Sequence, residues 1–147
     1  MADIYDPKTF DPGTSVGYLV NRVRTALFNA LDQELAPLEV TSAQYVIMAQ
    51  LIYGMADSPS QLCQSISYDP GAMTRMIDRL EAKGLIRRVR HPQDRRALTL
   101  ELTTEGKAVF PKMRVLVIDV LNRFLRGFTK AEARQLEGLL QRVLANA

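Results

Sequence analysis

Apolar residues recur at steps of three and four along most of this 147-residue chain, the period of amphipathic helices. Val16, Leu19, Val20, Val23, Leu27, Ala30, Leu31 and Leu35 make one stripe of a long helix, capped by Thr14 or Ser15 and ended at Pro37. Thr41-Ser42-Ala43-Gln44 is a capping-box pattern that opens a second helix, with Tyr45, Met48, Leu51 and Ile52 on one face and a stop near Gly54. Ser58 followed by Pro59 starts a short third helix reaching about Ser67. Asp69 followed by Pro70 starts a fourth, with Met73, Met76, Ile77 and Leu80 as its buried stripe and Gly84 as its stop. The period then falls to two. Leu98, Leu100 and Leu102 alternate with Thr99 and Glu101 in a half-buried strand that Leu85–Arg90 can pair with. Thr103 or Thr104 caps a further long helix reaching about Arg126. Thr129-Lys130-Ala131-Glu132 opens a last one, with Leu136, Leu139, Leu140, Val143 and Leu144 on one face. The expected class is therefore mainly α, a winged helix-turn-helix with a two-stranded β wing. Residues 1–13, which hold Pro7, Pro12 and Gly13 without periodicity, read as an N-terminal arm.

Composition narrows this little. The apolar fraction of 47% and charged fraction of 24% are ordinary for a globular domain. A chain of this length buries roughly 68–70% of its unfolded surface and needs no metal or disulfide to hold a core. Trp is absent and aromatics make up only 7%, which argues against a stacking platform for single strands or RNA. Cys63 is the only cysteine, as expected of a protein kept in a reducing compartment, the cytoplasm. The acidic start Met1–Pro7 does not read as a signal peptide. The longest strongly apolar run, Val115–Ile118, stops at Asp119, so no membrane span is expected.

Charge changes the picture more by its placement than by its net value of +3. Between Arg75 and Arg96 stand eight basic and three acidic residues, against 11 basic and 13 acidic in the rest of the chain. A localised basic segment is the footprint of a polyanion binder. On the fourth helix, Gly71, Thr74, Arg75, Asp78 and Arg79 face outward or flank that face when the apolar stripe faces in. Thr74 suits a thymine methyl or a base edge, Arg75 a bidentate guanine contact, and Arg79 a phosphate. Two arginines alone would more readily be read as solvating an exposed helix face. The wing shifts the balance, because Arg87, Arg88, Arg90, Arg95 and Arg96 crowd a hairpin too short to need them for folding. Of these, Arg88, Arg90, Arg95 and Arg96 are assigned to DNA, one of them to a minor groove. Asp94 is expected to pair with a wing arginine and brace it.

These residues resemble a known family. Asp94-Arg95-Arg96, five residues, Leu102-Thr103, two residues and Gly106 are similar to the signature of MarR-type transcriptional regulators. Asp69–Arg75 and Leu80–Arg88 resemble that family's recognition helix and first wing strand, and Thr41–Tyr45 its helix start. The likeness extends from about Ser15 to the C-terminus. It implies a homodimer with interleaved terminal helices (14–36 and 103–147) around a DNA-binding region (41–102). It further implies a pseudo-palindromic double-stranded operator, repression, and release by a small aromatic or phenolic anion. Candidate effector contacts are Tyr18, Arg22, Tyr45, Met48, Tyr53 and Met113, which lie on the helices that would wall such a site. Core or dimer-interface packing is the plainer reading of most of them. Pro111 departs from the pattern and is expected to kink its helix. Cys63 is read as core and His91 as an exposed turn residue.

No catalytic residues, cofactor or metal are expected. The chain has no Gly-rich phosphate loop, no ligand cluster, and no nucleophile with histidine and acid partners. The competing function is a winged helix used for protein–protein contact or dimerisation without DNA. That role would not require the arginine-rich wing.

Overall fold

The computed structural model describes residues 3–91, 93, 94 and 96–147. Six helices and one hairpin follow in the order α1 (Val16–Leu35), α2 (Ser42–Ile52), α3 (Pro59–Ile66), α4 (Pro70–Ala82), β1 (Ile86–Arg90), β2 (Leu98–Leu102), α5 (Thr104–Phe124) and α6 (Lys130–Leu144). Each helix begins where the sequence offers a side-chain acceptor. Ser15, Thr41, Ser58, Asp69, Thr103 and Thr129 each accept a backbone N–H from the first turn. Thr41 with Gln44, and Thr129 with Glu132, complete reciprocal capping boxes. Ser67 and Glu39, in left-handed conformations, close α3 and the 3-10 turn after α1.

The core lies where α1, α2, α4, α5 and the hairpin meet. Leu35, Ile47, Met48, Leu62, Met73, Leu80 and Met113 are wholly inaccessible there, with Ile77, Ile86 and Phe110 nearly so. The stripe expected on α4 holds, with Met76 at its half-buried edge. The stripe expected on α2 does not. Ile47 and Met48 are its deepest apolar residues while Ile52 is exposed. The reason is position: α2 packs on α1, α3, α5 and β2 together, and a helix covered on several sides loses its one-faced pattern.

β1 and β2 pair antiparallel, with Ile86 opposite Leu102 and Arg90 opposite Leu98. The Asp57 carbonyl accepts the Leu100 N–H at 2.7 Å, so the chain before α3 runs along the outer edge of β2. At the wing base, the Leu85 carbonyl accepts the Thr103 N–H at 3.0 Å, and the Thr103 hydroxyl donates to the Gly84 carbonyl. The same hydroxyl oxygen accepts the Gly106 N–H at 3.0 Å. A Cβ on Gly106 would stand 2.1 Å from the Leu85 carbonyl oxygen, so only glycine allows α5 to start this close to the wing. Pro111 lies on the exposed side of α5, which continues as helix on either side of it.

The terminal helices are different. No residue of α6 is buried. Val16, Leu19, Val20 and Val23 of α1 face Leu136, Leu139, Leu140 and Val143 of α6 across an apolar groove of about 490 Å³, and all eight are exposed. Among the described residues no helix is long and apolar enough to cross a membrane.

Candidate nucleic-acid interface

α3 packs on α4, and α4 on β1, so the helix pair and the wing form one surface. The α4 N-terminus is set by Asp69, whose carboxylate accepts the Ala72 N–H at 2.9 Å. Burial of Met73, Ile77 and Leu80 turns Gly71, Thr74, Arg75, Asp78 and Arg79 to solvent. The Thr74 hydroxyl donates to the Pro70 carbonyl at 2.8 Å. Its proton is thereby used, and Thr74 offers outward a methyl group and acceptor lone pairs. The Arg75 guanidinium folds over the first turn: its Nη1 lies 3.5 Å from where a Cβ on Gly71 would be.

The wing arginines divide into two groups. Arg87 pairs across the strands with Glu101, its register partner. Arg88, only 29% exposed, reaches back to α4 and holds Asp78 at 2.6 Å and Glu81 at 2.5 Å. The hydrogen bond to Asp78, assisted by the charge of both carboxylates, raises the Arg88 pKa above its ordinary value. Arg90 and Arg96 are exposed. Among the described residues no carboxylate pairs with Arg75, Arg79, Arg90 or Arg96. The expectation that the hairpin does not need its arginines for folding is thus corrected at Arg87 and Arg88. Each has a carboxylate that a charge count could not assign.

Asp94 acts on the backbone of the wing turn. Its carboxylate accepts the backbone N–H of Arg96 at 3.0 Å, and its carbonyl accepts the Ala97 N–H at 3.1 Å. It shapes the wing turn through the backbone of Arg96, not through that residue's guanidinium. Arg95 lies outside the described residues. His91 is half-buried at the wing start, where its Nδ1 accepts the Gln93 N–H at 3.2 Å. Lys83, at the other end of α4, donates to the Gln44 side chain at 3.0 Å and to the Glu39 carbonyl.

The candidate effector residues stand in different surroundings. Met48 and Met113 are core. Arg22 donates to the Tyr18 hydroxyl at 3.1 Å on the open face of α1. Tyr45 stacks on Phe110 with ring centres 5.5 Å apart, and Tyr53 meets the same ring edge-on at 5.9 Å. Burial, and then the neighbouring Tyr53, raises the Tyr45 pKa, with Arg114 acting in the opposite sense. Cys63 is half-buried and packs against the core. Among the described residues no group of His, Cys, Asp or Glu has the arrangement of a metal site.

Sequence reasoning missed Glu81, Glu101, Lys83 and Gln44 as partners of this surface. The Arg87–Glu101 pair was accessible in principle, since it follows from the hairpin register. The others join residues from separate elements.

Residues 40–98 match the family model described as "MarR family". The chain is 35% identical to the multiple antibiotic resistance protein MarR of Escherichia coli K12 over 130 residues, 88% of this chain and 90% of that one. Its fold is similar to that of a mutant E. coli MarR in complex with operator DNA, with a TM-score of 0.80 and 32% identity over 92% of this chain and 99% of the other. It is also similar to Bordetella bronchiseptica BpsR, whose structure addresses regulation of its DNA binding by 6-hydroxynicotinic acid. That likeness has a TM-score of 0.80 and 25% identity, covering 94% and 98% of the two chains.

Proposed function

The chain belongs to the MarR family, and from that premise we propose that it is a sequence-specific regulator of transcription that binds double-stranded operator DNA. It is not an enzyme; it acts as a repressor that a small ligand releases. The observation that carries this reading is the cationic surface made by Arg75 and Arg79 on α4 with Arg90 and Arg96 on the wing. All four are exposed and without carboxylate partners among the described residues. Arg75 suits a guanine edge in a major groove, and the others suit phosphate or a narrow minor groove. Thr74, beside Arg75, suits a thymine methyl, and Gly71 leaves room for the backbone to come close.

The operator is read as pseudo-palindromic because the protein is read as a homodimer. Apolar faces as large as those of α1 and α6 mark an interface, and two-fold symmetry pairs two recognition helices with two half-sites. In this reading 14–36 and 103–147 form the dimerisation region and 41–102 the DNA-binding region. Its DNA puts its place of action in the cytoplasm. The ligand is assigned to the junction of the two regions, where Tyr45 and Tyr53 flank Phe110 near Arg114. A small aromatic carboxylate or phenol fits that chemistry.

The test is a titration of a palindromic duplex at two salt concentrations. Binding should weaken steeply as salt rises, because phosphate contacts release counterions. Absence of binding, or binding indifferent to salt, overturns the proposal and leaves the protein–protein module. Thermal melting with a panel of aromatic acids tests the ligand, which must raise the melting temperature and dissociate the complex.

A further inference from the structure

We propose that Arg88 is a positioning residue of the DNA-binding surface, a clamp that fixes the wing against the recognition helix by holding Asp78 and Glu81 in one guanidinium fork. The inference rests on the DNA-binding reading above and reassigns two residues, Arg88 and Asp78, that the sequence had marked as DNA contacts.

The geometry points to this role. Asp78 and Glu81 stand one helical turn apart on α4, so their side chains project to the same flank. Arg88 is the third residue of β1, opposite Leu100. Its Nη2 donates to the Asp78 Oδ1 at 2.6 Å and its Nη1 to the Glu81 Oε1 at 2.5 Å. A planar fork with donors fixed on both sides can bridge two acceptors in one orientation, which a lysine cannot do. The guanidinium is the most covered group of the three, with 29% exposure against 57% for Asp78 and 41% for Glu81.

Two consequences follow for binding. First, the hairpin leaves α4 through Gly84, which has a positive φ; its base is held by the Asp57 carbonyl and by burial of Ile86 and Leu102, and Arg88 adds a tie from the middle of β1 directly to the recognition helix. That tie fixes the wing against the recognition helix itself, so Arg90 and the wing tip meet the DNA in a set position. Second, Asp78 lies in the outward stripe that also holds Thr74 and Arg75. An unmasked carboxylate there would repel phosphate, and Arg88 both neutralises it and draws it to the flank. Arg88 thus serves DNA binding without touching DNA.

A double-mutant cycle on operator affinity tests this. Arg88→Gln should weaken operator binding by roughly ten-fold in the otherwise unchanged protein, and by less than about three-fold once Asp78→Asn and Glu81→Gln have removed what it holds. Arg88→Lys, which keeps the charge and loses the fork, should behave like Arg88→Gln. The slope of log affinity against log salt should stay unchanged in Arg88→Gln, because no phosphate contact is lost. Arg90→Gln should reduce that slope by about 1.8, one phosphate contact being lost in each subunit of the dimer. Equal losses in both backgrounds, full activity of Arg88→Lys, or a slope reduced by one contact per subunit in Arg88→Gln would each overturn the clamp. A purely structural role would lower the melting temperature without this coupling in operator affinity. If the unchanged protein binds with salt dependence and the losses add, the clamp alone falls. If the unchanged protein does not bind, the functional reading falls and takes the clamp's role with it.

Discussion

Gly106 and Thr74 illustrate how one residue's chemistry sets what its neighbours can do. A methyl at Gly106 would collide with the Leu85 carbonyl at 2.1 Å, and that carbonyl already accepts the Thr103 N–H. Gly106→Ala should therefore destabilise the protein by roughly 1–3 kcal/mol, the usual cost of forcing volume into a packed site. Urea unfolding at fixed protein concentration measures it, and an unchanged midpoint would refute the close-approach argument. Thr74 has given its proton to the Pro70 carbonyl, so its methyl and lone pairs are what remain for a base. Thr74→Val, which keeps the methyl, should preserve a preference for thymine at the contacted position. Thr74→Ser, which keeps the hydroxyl, should lose it, at a cost of about 0.8 kcal/mol for the methyl contact removed. Binding to duplexes substituted at that position separates the two variants. Both residues stood out in the sequence, one in a signature and one on an outward face. Their reasons did not, because each depends on a carbonyl brought near by folding.

At the scale of elements, caps and periods were the most legible features. A cap is local chemistry: a side-chain oxygen three residues before the N–H it accepts. The starts of α1 to α6 were accordingly readable from Ser, Thr and Asp, and so was the alternation of β2. The faces of α2 were not readable, since its four neighbours belong to distant parts of the chain. The cap of α6 carries a pH prediction. The backbone N–H and hydroxyl of Thr129 donate to the Glu132 carboxylate and lower its pKa. A carboxylate with a lowered folded pKa stabilises the helix above its unfolded pKa, and that contribution disappears as pH falls through the folded value. The α6 helix should therefore fray on acidification below the ordinary carboxylate range. Glu132→Gln should keep the capping box while removing Glu132's share of that acid sensitivity. Helical circular dichroism across an acid titration compares them, and equal acid sensitivity in both would reject the assignment to Glu132.

For the whole molecule, the exposed groove between α1 and α6 is the dominant fact. The leucine stripe of α6 was plain in the sequence, and its length for the few helices left to cover it favoured a second copy, although periodicity alone shows which residues share a face and not what covers it. If a second copy covers it, Leu139→Glu should give a monomer, since an unpaired charge placed in an apolar interface is costly to bury. Sedimentation reads the change in mass. Operator affinity should fall with it, because one recognition helix reaches one half-site. A Leu139→Glu protein that remained dimeric would move the interface elsewhere.

The Lys83 tether gives the molecule a mechanical asymmetry. This residue ties the C-terminal end of α4 to Gln44 and to the Glu39 carbonyl, at the corner where α1 passes into α2. Among the described residues, the end of α4 that carries Gly71, Thr74 and Arg75 has no side-chain hydrogen bond to that corner and is held by the packing of Met73. Taken about the Lys83 contact as a pivot, Gly71 sits roughly 18 Å along α4 at about 1.5 Å per residue, with Met73, Ile77 and Leu80 buried between the two. A tilt of about 3° at the pivot displaces the reading end by about 1 Å, a sizeable fraction of a hydrogen-bond length. A strain at the α1–α2 corner that tilts α4 about that end is therefore felt most at the end proposed to read bases.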